Sequence, residues 1–232
     1  MSKASSRVKI TPQQVLCVFL FLESIVIAIA LAKAIARELS PAHYFGENGI
    51  VTDASCIQLL IASILALATF WRVKHSNFES SRNGWFWLLV SLGLLFLAVD
   101  DAYEIHERID LWLHDLLEIR QTNFTDLIDD LIVGGYLLLF IACIATIWQS
   151  LQVFRPSFAF FQLAFALTIA MVILDMVGNN DYFLSLIIDD LERVRAIERW
   201  LGVVEDSIKI IAEGIFIAGI YHCWQIARSP VK

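Results

Sequence analysis

Apolar residues run without interruption over about 12–35, 54–71, 85–101, 131–148, 157–176 and 201–224. A helix needs about 20 consecutive apolar residues to cross the hydrocarbon of a bilayer, so each run has the length of a membrane span. The apolar positions are continuous rather than alternating, which is not the pattern of a membrane β-barrel. The chain is therefore expected to be all-α, a polytopic membrane helical bundle of six transmembrane helices forming a single domain over residues 1–232. Pro12, Pro41, Pro156 and Pro230 fall at or near the proposed ends, where a missing backbone N–H is tolerated.

Between the third and fourth runs the pattern changes but the helical period does not. In DDAYEIHERIDLWLHDLLEIR, Ile105, Ile109, Trp112, Leu113 and Leu116 make one apolar stripe. Asp100, Glu104 and Glu107 stand on another face at i, i+4 and i+7. A continuous helix of this kind reads as an interfacial amphipathic helix. The segment LSLIIDDLERVRAIERWL, ahead of the last run, reads as a shorter counterpart. The first run continues to about Ile35 with no convincing small-residue cleavage site before Glu23, so it is expected to be a membrane helix and not a signal peptide.

The even runs share a frame. Asp53 to Trp71, Asp130 to Trp148 and Asp206 to Trp224 are each 18 residues apart, and ATFW and ATIW, then FIACI and FIAGI, match locally within that frame. Glu23, Asp100 and Asp175 stand 30 or 31 residues ahead of the three aspartates, which would make three repeated helical hairpins. The alternative needs no repeat. An acid at a helix N-terminus is favoured by the dipole and a Trp belongs in an aromatic belt, so any similarly oriented span could carry both.

Composition supports the membrane reading: 58% of the residues are hydrophobic and 18% charged, and the mean hydropathy is +0.68. Cys17, Cys56, Cys143 and Cys223 lie within apolar runs without metal-binding spacing and read as small buried hydrophobes. Basic residues favour the side of the amino terminus, of Arg72, Lys74 and Arg82, of Arg155, and of Arg228 and Lys232. The positive-inside rule then places both termini in the cytoplasm, in the plasma or inner membrane. The acids of the net −7 chain gather on the opposite side, from Asp53 through Asp100–Glu118 and Asp126–Asp130 to Asp181–Glu198. Asn123, Phe124 and Thr125 match a glycosylation sequon by pattern.

Glu23 and Glu213 are the deepest acids, each roughly 17 Å from the inner boundary at 1.5 Å per residue. Glu205, Lys209 and Glu213 form a ladder at i+4 spacing on the last span. Charges at mid-bilayer cost several kcal/mol and normally face the bundle interior. This group reads either as an internal ion pair that orients the span or as a cation, proton or substrate path. Asp100, Glu104 and Glu107, completed by Asp130, Asp175 or Asp206, make a candidate site for a hard divalent cation. The competing reading of that face is solvation. His106 is the candidate catalytic acid or base. Asp110 at i+4 is its expected partner, and Arg108 that of Glu104.

Three functions compete. The first is binding or conducting a cation or proton through Glu23, Glu205, Lys209 and Glu213. The second is a metal-dependent membrane enzyme acting on a lipid-like substrate. The third is a non-catalytic accessory subunit of a membrane complex. No HExxH, nucleotide loop or GxSxG elbow occurs. A divalent cation is the one cofactor suggested; the expected partners are the lipid bilayer and a membrane-protein partner or a second copy, and not nucleic acid.

Overall fold

The computed structural model describes residues 10–46, 48–75, 81–117, 127–178, 184, 188 and 190–228, and no strand occurs among them. The helices are α1 (Pro12–Ala36), α2 (Ala42–Phe45), α3 (Ile50–Lys74), α4 (Ser81–Tyr103), α5 (Ile105–Leu117), α6 (Leu127–Leu151), α7 (Phe158–Gly178) and α8 (Leu191–Arg228), with a 3-10 turn at Gln152–Ser157 ahead of α7. The sequon at Asn123, together with Asp126, Asp181 and Asp189, lies outside the described residues.

Among the described residues, four stretches are long and apolar enough to cross a membrane: Pro12–Ala36, Ala42–Lys74, Gly84–Tyr103 and Gln152–Gly178. The expected spans at 131–148 and 201–224 fall on α6 and α8. Val18, Phe21, Leu22, Ile25 and Ile29 of α1 are exposed, while its buried residues are Pro12, Glu23, Ala30 and Ala34. That inversion, large apolar groups outward and small ones inward, is how helices pack in lipid, where small residues let backbones approach.

The start of α1 is set locally. Thr11 Oγ1 accepts from Gln14 N at 3.2 Å, and Gln14 Oε1 accepts from Thr11 N at 2.8 Å, so two orphan amides are satisfied reciprocally ahead of Pro12. Thr11→Ala is expected to lower stability by about 1 kcal/mol, read as a fall of a few degrees in a thermal melt in detergent.

α8 is the axis of the bundle. It packs on α7, α3 and α1, while α3 pairs along its length with α4. Two apolar cores result. The larger joins Leu59, Ala66 and Phe70 of α3 to Trp87 and Leu94 of α4 and to Ile217, Ile220 and Cys223 of α8. The smaller joins Ala30 and Ala34 of α1 to Tyr44 and Phe45 of α2, Val51 of α3, and Val203 and Ile210 of α8.

Two expected elements differ. The helix predicted to run continuously from Asp100 breaks at Glu104, whose φ of 53° lies in the left-handed region. Asp100 holds the break: its Oδ1 accepts from the backbone N of His106 at 2.9 Å, which starts α5 anew. Asp100, Glu104 and Glu107 therefore do not share one helical face. Along α5 the expected apolar stripe divides, with Trp112 and Leu116 exposed while Asp110 and His114 are buried. At the other end, Leu191–Trp200 is not a separate helix but the first turns of α8. The only glycine between it and the buried part, Gly202, does not interrupt the backbone ladder, and no proline intervenes.

The shared Asp-to-Trp frame also meets different surroundings. Asp53 lies in the first turn of α3 and Asp130 near the start of α6, as a dipole preference requires, but Asp206 lies far inside α8.

Candidate functional site

A polar layer separates the two apolar cores. On α1 it interrupts the run between Phe19, which packs on the larger core, and Val26, which packs on the smaller. Glu23 occupies that level and is 1% exposed. On α3 it falls between Val51 and Leu59 and consists of Ser55, Cys56 and Gln58; on α8 it falls between Ile210 and Ile217 and holds Glu213. Lys209 follows one turn away, and α4 contributes Asp101 just before its end.

The side chains connect across helices. Lys209 forms an ion pair with Asp101 Oδ1. The Cys56 thiol donates to Asp101 Oδ2 at 3.7 Å, and Ser55 Oγ donates to Glu213 Oε1 at 2.7 Å. Glu213 also lies in the electrostatic range of Lys209, Asp101 and Glu23, and Asp206 in that of Lys209, Asp101 and Asp175. Gln58 faces Glu23. Buried oxygens of Glu23, of Gln58 (Oε1) and of Glu213 (Oε2) lie in this layer without a well-formed hydrogen bond, although the Gln58 amide stands beside the Glu23 carboxylate.

Gly214 makes the arrangement sterically feasible. A Cβ there would collide with the Glu23 carboxylate and approach Glu23 Cδ at 2.9 Å and Phe19 Cβ at 3.1 Å. Glycine thus lets a carboxylate lie against the backbone of α8.

The expected Glu205, Lys209, Glu213 ladder is only partly realised. Lys209 reaches across to α4 for its ion pair instead of pairing along its own helix, because α4 presents a carboxylate at that level. Glu213 remains its electrostatic neighbour, and Glu205 has an interaction partner too. Among the described residues, no group of three or more His, Cys, Asp or Glu side chains is arranged to hold a metal ion.

The residues of the expected divalent site are dispersed. Asp100 pairs with His106 Nδ1 at 3.1 Å. Glu104 accepts from Asn48 Nδ2 at 3.1 Å, Glu107 is also engaged, and Asp175 and Asp206 lie toward α7 and α8. The side chain of Asp130 is outside the described residues. His106 turns to Asp100 and not to the expected Asp110, which pairs with His114 at 3.2 Å. The break at Glu104 explains both: it folds His106 back over the last turn of α4 and puts Asp110 and His114 on the inward face of α5.

Sequence reasoning missed Asp101, Ser55, Gln58 and Gly214. A polar trio, Ser55, Cys56 and Gln58, inside a span was a visible signal. Asp101 was masked by its neighbour Asp100, whose spacing to Glu104 and Glu107 looked like a face.

Neither a curated protein nor a solved structure matches the chain. A family model described as "Domain of unknown function (DUF8692)" matches residues 15–224, taking in every helix that builds the polar layer. The chain belongs to that family.

Proposed function

We propose that this membrane protein binds or conducts a cation or proton at the layer of Glu23, Glu213 and the Asp101–Lys209 pair. The observation that carries the reading is Glu23, a carboxyl group 1% exposed that faces the neutral amide of Gln58 and forms no ion pair with a Lys, Arg or His among the described residues. An ionised carboxylate taken out of water without a counter-charge costs many kcal/mol. Such a group is sustained by taking up a proton or by holding a cation, and a second carboxyl group, Glu213, stands within electrostatic range to share it.

The reading carries a topology with it. Six transmembrane helices would place both termini in the cytoplasm, with α6 and α8 as the fourth and sixth spans. At 1.5 Å per residue α8 is about 57 Å long, more than a bilayer core, so its first turns project on the outer side. There α5 would lie in the interface with Trp112 and Leu116 toward lipid, and the outer carboxylates would concentrate cations at the entrance. The common Asp-to-Trp frame is retained as a sign of three related hairpins. The lipid bilayer is the proposed partner throughout, and a second copy of the chain fits the exposed apolar faces.

The test is a binding measurement on purified protein in detergent, by calorimetric titration with Na⁺, K⁺ or Ca²⁺ and by proton uptake in lightly buffered solution. Wild type is expected to show saturable binding of a cation or proton that is lost in both Glu23→Gln and Glu213→Gln. Wild-type binding retained in both variants would overturn the proposal.

A further inference from the structure

We propose that the end of α1, the short α2 and the start of α3 form a headgroup site for a membrane phospholipid of the phosphoethanolamine class, one that carries a phosphate and a primary amine. The site is separate from the Glu23–Glu213 layer and does not depend on the cation-handling reading.

An open cleft of about 690 Å³ lies where these three elements meet, lined by Lys33 of α1, His43 and Tyr44 of α2, and Gly49 and Asp53 at the start of α3. Its size falls in the range of about 300–1,000 Å³ usual for small-molecule sites. Its walls are set by local bonds. Gly49 N donates to Gly46 O at 2.9 Å, and Thr52 Oγ1 donates to the same carbonyl at 3.0 Å, which holds α2 on the first turn of α3. A Cβ on Gly49 would lie 2.5 Å from Tyr44 O, so the turn requires glycine. Asn48, in the left-handed region at φ 60°, donates from Nδ2 to Glu104 Oε1 at 3.1 Å and ties the rim of the cleft to the break between α4 and α5.

The cleft carries opposite charges that do not cancel each other. Lys33 and Asp53 line the same space, yet neither is in an ion pair among the described residues. Asp53 repels a simple anion placed beside Lys33, and Lys33 repels a simple cation placed beside Asp53. A ligand bearing both charges is favoured by both residues.

The phosphate end belongs at the N-terminus of α3. Gly49 gives that helix no side-chain cap, and the uncapped amides of a first turn are an anion-binding arrangement. Lys33 supplies the counter-charge there and His43 a ring nitrogen. The hydroxyl of Tyr44, which also lines the cleft, is buried and has no hydrogen-bond partner among the described residues. Asp53 stands within one turn of those amides and takes the amine. A carboxylate accepts charge-assisted hydrogen bonds from a primary ammonium, which a trimethylammonium group cannot donate.

What continues along each helix makes the ligand a lipid. Ile29 and Leu22, at i−4 and i−11 from Lys33, are exposed on α1, and Ile57, Leu60 and Ile64, at i+4, i+7 and i+11 from Asp53, are exposed on α3. Each charged residue thus stands at the head of an apolar strip on its own helix. Both strips lie in stretches apolar enough to cross a membrane, where they offer acyl chains a path below the headgroup.

The experiment is native mass spectrometry of the full-length protein released from micelles doped with dioleoyl lipids that carry phosphoethanolamine, phosphocholine or phosphoglycerol headgroups. Wild type is expected to retain one phosphoethanolamine lipid about tenfold more strongly than either of the others, the factor that one charge-assisted hydrogen bond supplies. Asp53→Asn is expected to remove the preference over phosphocholine. Lys33→Gln is expected to weaken both of those lipids alike, because both carry the phosphate. The two side chains are exposed, and a thermal melt matching wild type shows that each variant is folded. Equal retention of all three lipids, or a phosphoethanolamine preference that survives both substitutions, would overturn the site. A phosphoglycerol preference abolished by Lys33→Gln would refute the doubly charged ligand. Soluble O-phosphoethanolamine, titrated by calorimetry, is expected to bind far more weakly than the lipid, and equal affinity would refute the membrane as its source. Glu23 and Glu213 are intact in every arm, so the outcome leaves the cation-handling reading to its own test.

Discussion

Lys209→Met is expected to destabilise the protein by about 3 kcal/mol, the lower end of the cost of breaking a buried ion pair. The side chains of Lys209 and Asp101 are 25% and 14% exposed, so water or a polar neighbour offsets part of the loss. Removing the ammonium leaves Asp101 with the Cys56 thiol as its remaining hydrogen-bond partner in the layer, and with Asp206 and Glu213 as like charges nearby. The double variant Asp101→Asn/Lys209→Met, which removes both charges, is expected to recover most of that stability. The check is a double-mutant cycle by reversible denaturation in mixed micelles. If the double variant is as unstable as the sum of the single ones, the pair is not the interaction that joins α4 to α8.

Gly214→Ala is expected to cost about 1–3 kcal/mol, the usual range for overpacking, and to abolish proton or cation binding. The added methyl collides with the Glu23 carboxylate, which can swing away, but it also meets Phe19 Cβ at 3.1 Å, which cannot move without α1. Displacing Glu23 separates it from Glu213. A second substitution sharpens the result: Glu23→Ala in the Gly214→Ala background removes the carboxylate clash but not the Phe19 contact, and is expected to restore part of the stability without restoring binding. Gly93→Ala, where nothing lies within 4 Å of the new Cβ, is the control expected to be neutral or stabilising. Equal effects at Gly214 and Gly93 would show that helix propensity, and not contact with Glu23, governs the result.

The common level of Glu23 and Glu213 was readable before any fold was known. Glu23 and Glu213 share a level because rise per residue converts position in a span into height. Lys209 stood out because it is a cation inside an apolar run. What could not be read was direction around each helix. Asp100 and Asp101 are adjacent in the chain and point about 100° apart on a helix, and it is Asp101 that meets Lys209 while Asp100 turns to His106. The expected carboxylate face failed for a related reason. A spacing of i, i+4 and i+7 is a face only on an unbroken helix, and Glu104 leaves the helical region.

By itself the sequence determined that the chain is helical and apolar enough for a membrane, roughly where its helices lie, and that Glu23 and Glu213 stand at one level. Hydropathy, periodicity and capping are properties of about one to six turns of a single segment, so they need no partner. The tertiary structure decided that α8 is the axis, that a polar layer divides two apolar cores, that Lys209 pairs with Asp101 and that Gly214 admits Glu23. Those depend on the rotation of each helix against its neighbours, which is set by packing between residues as far apart in the chain as Ser55 and Glu213.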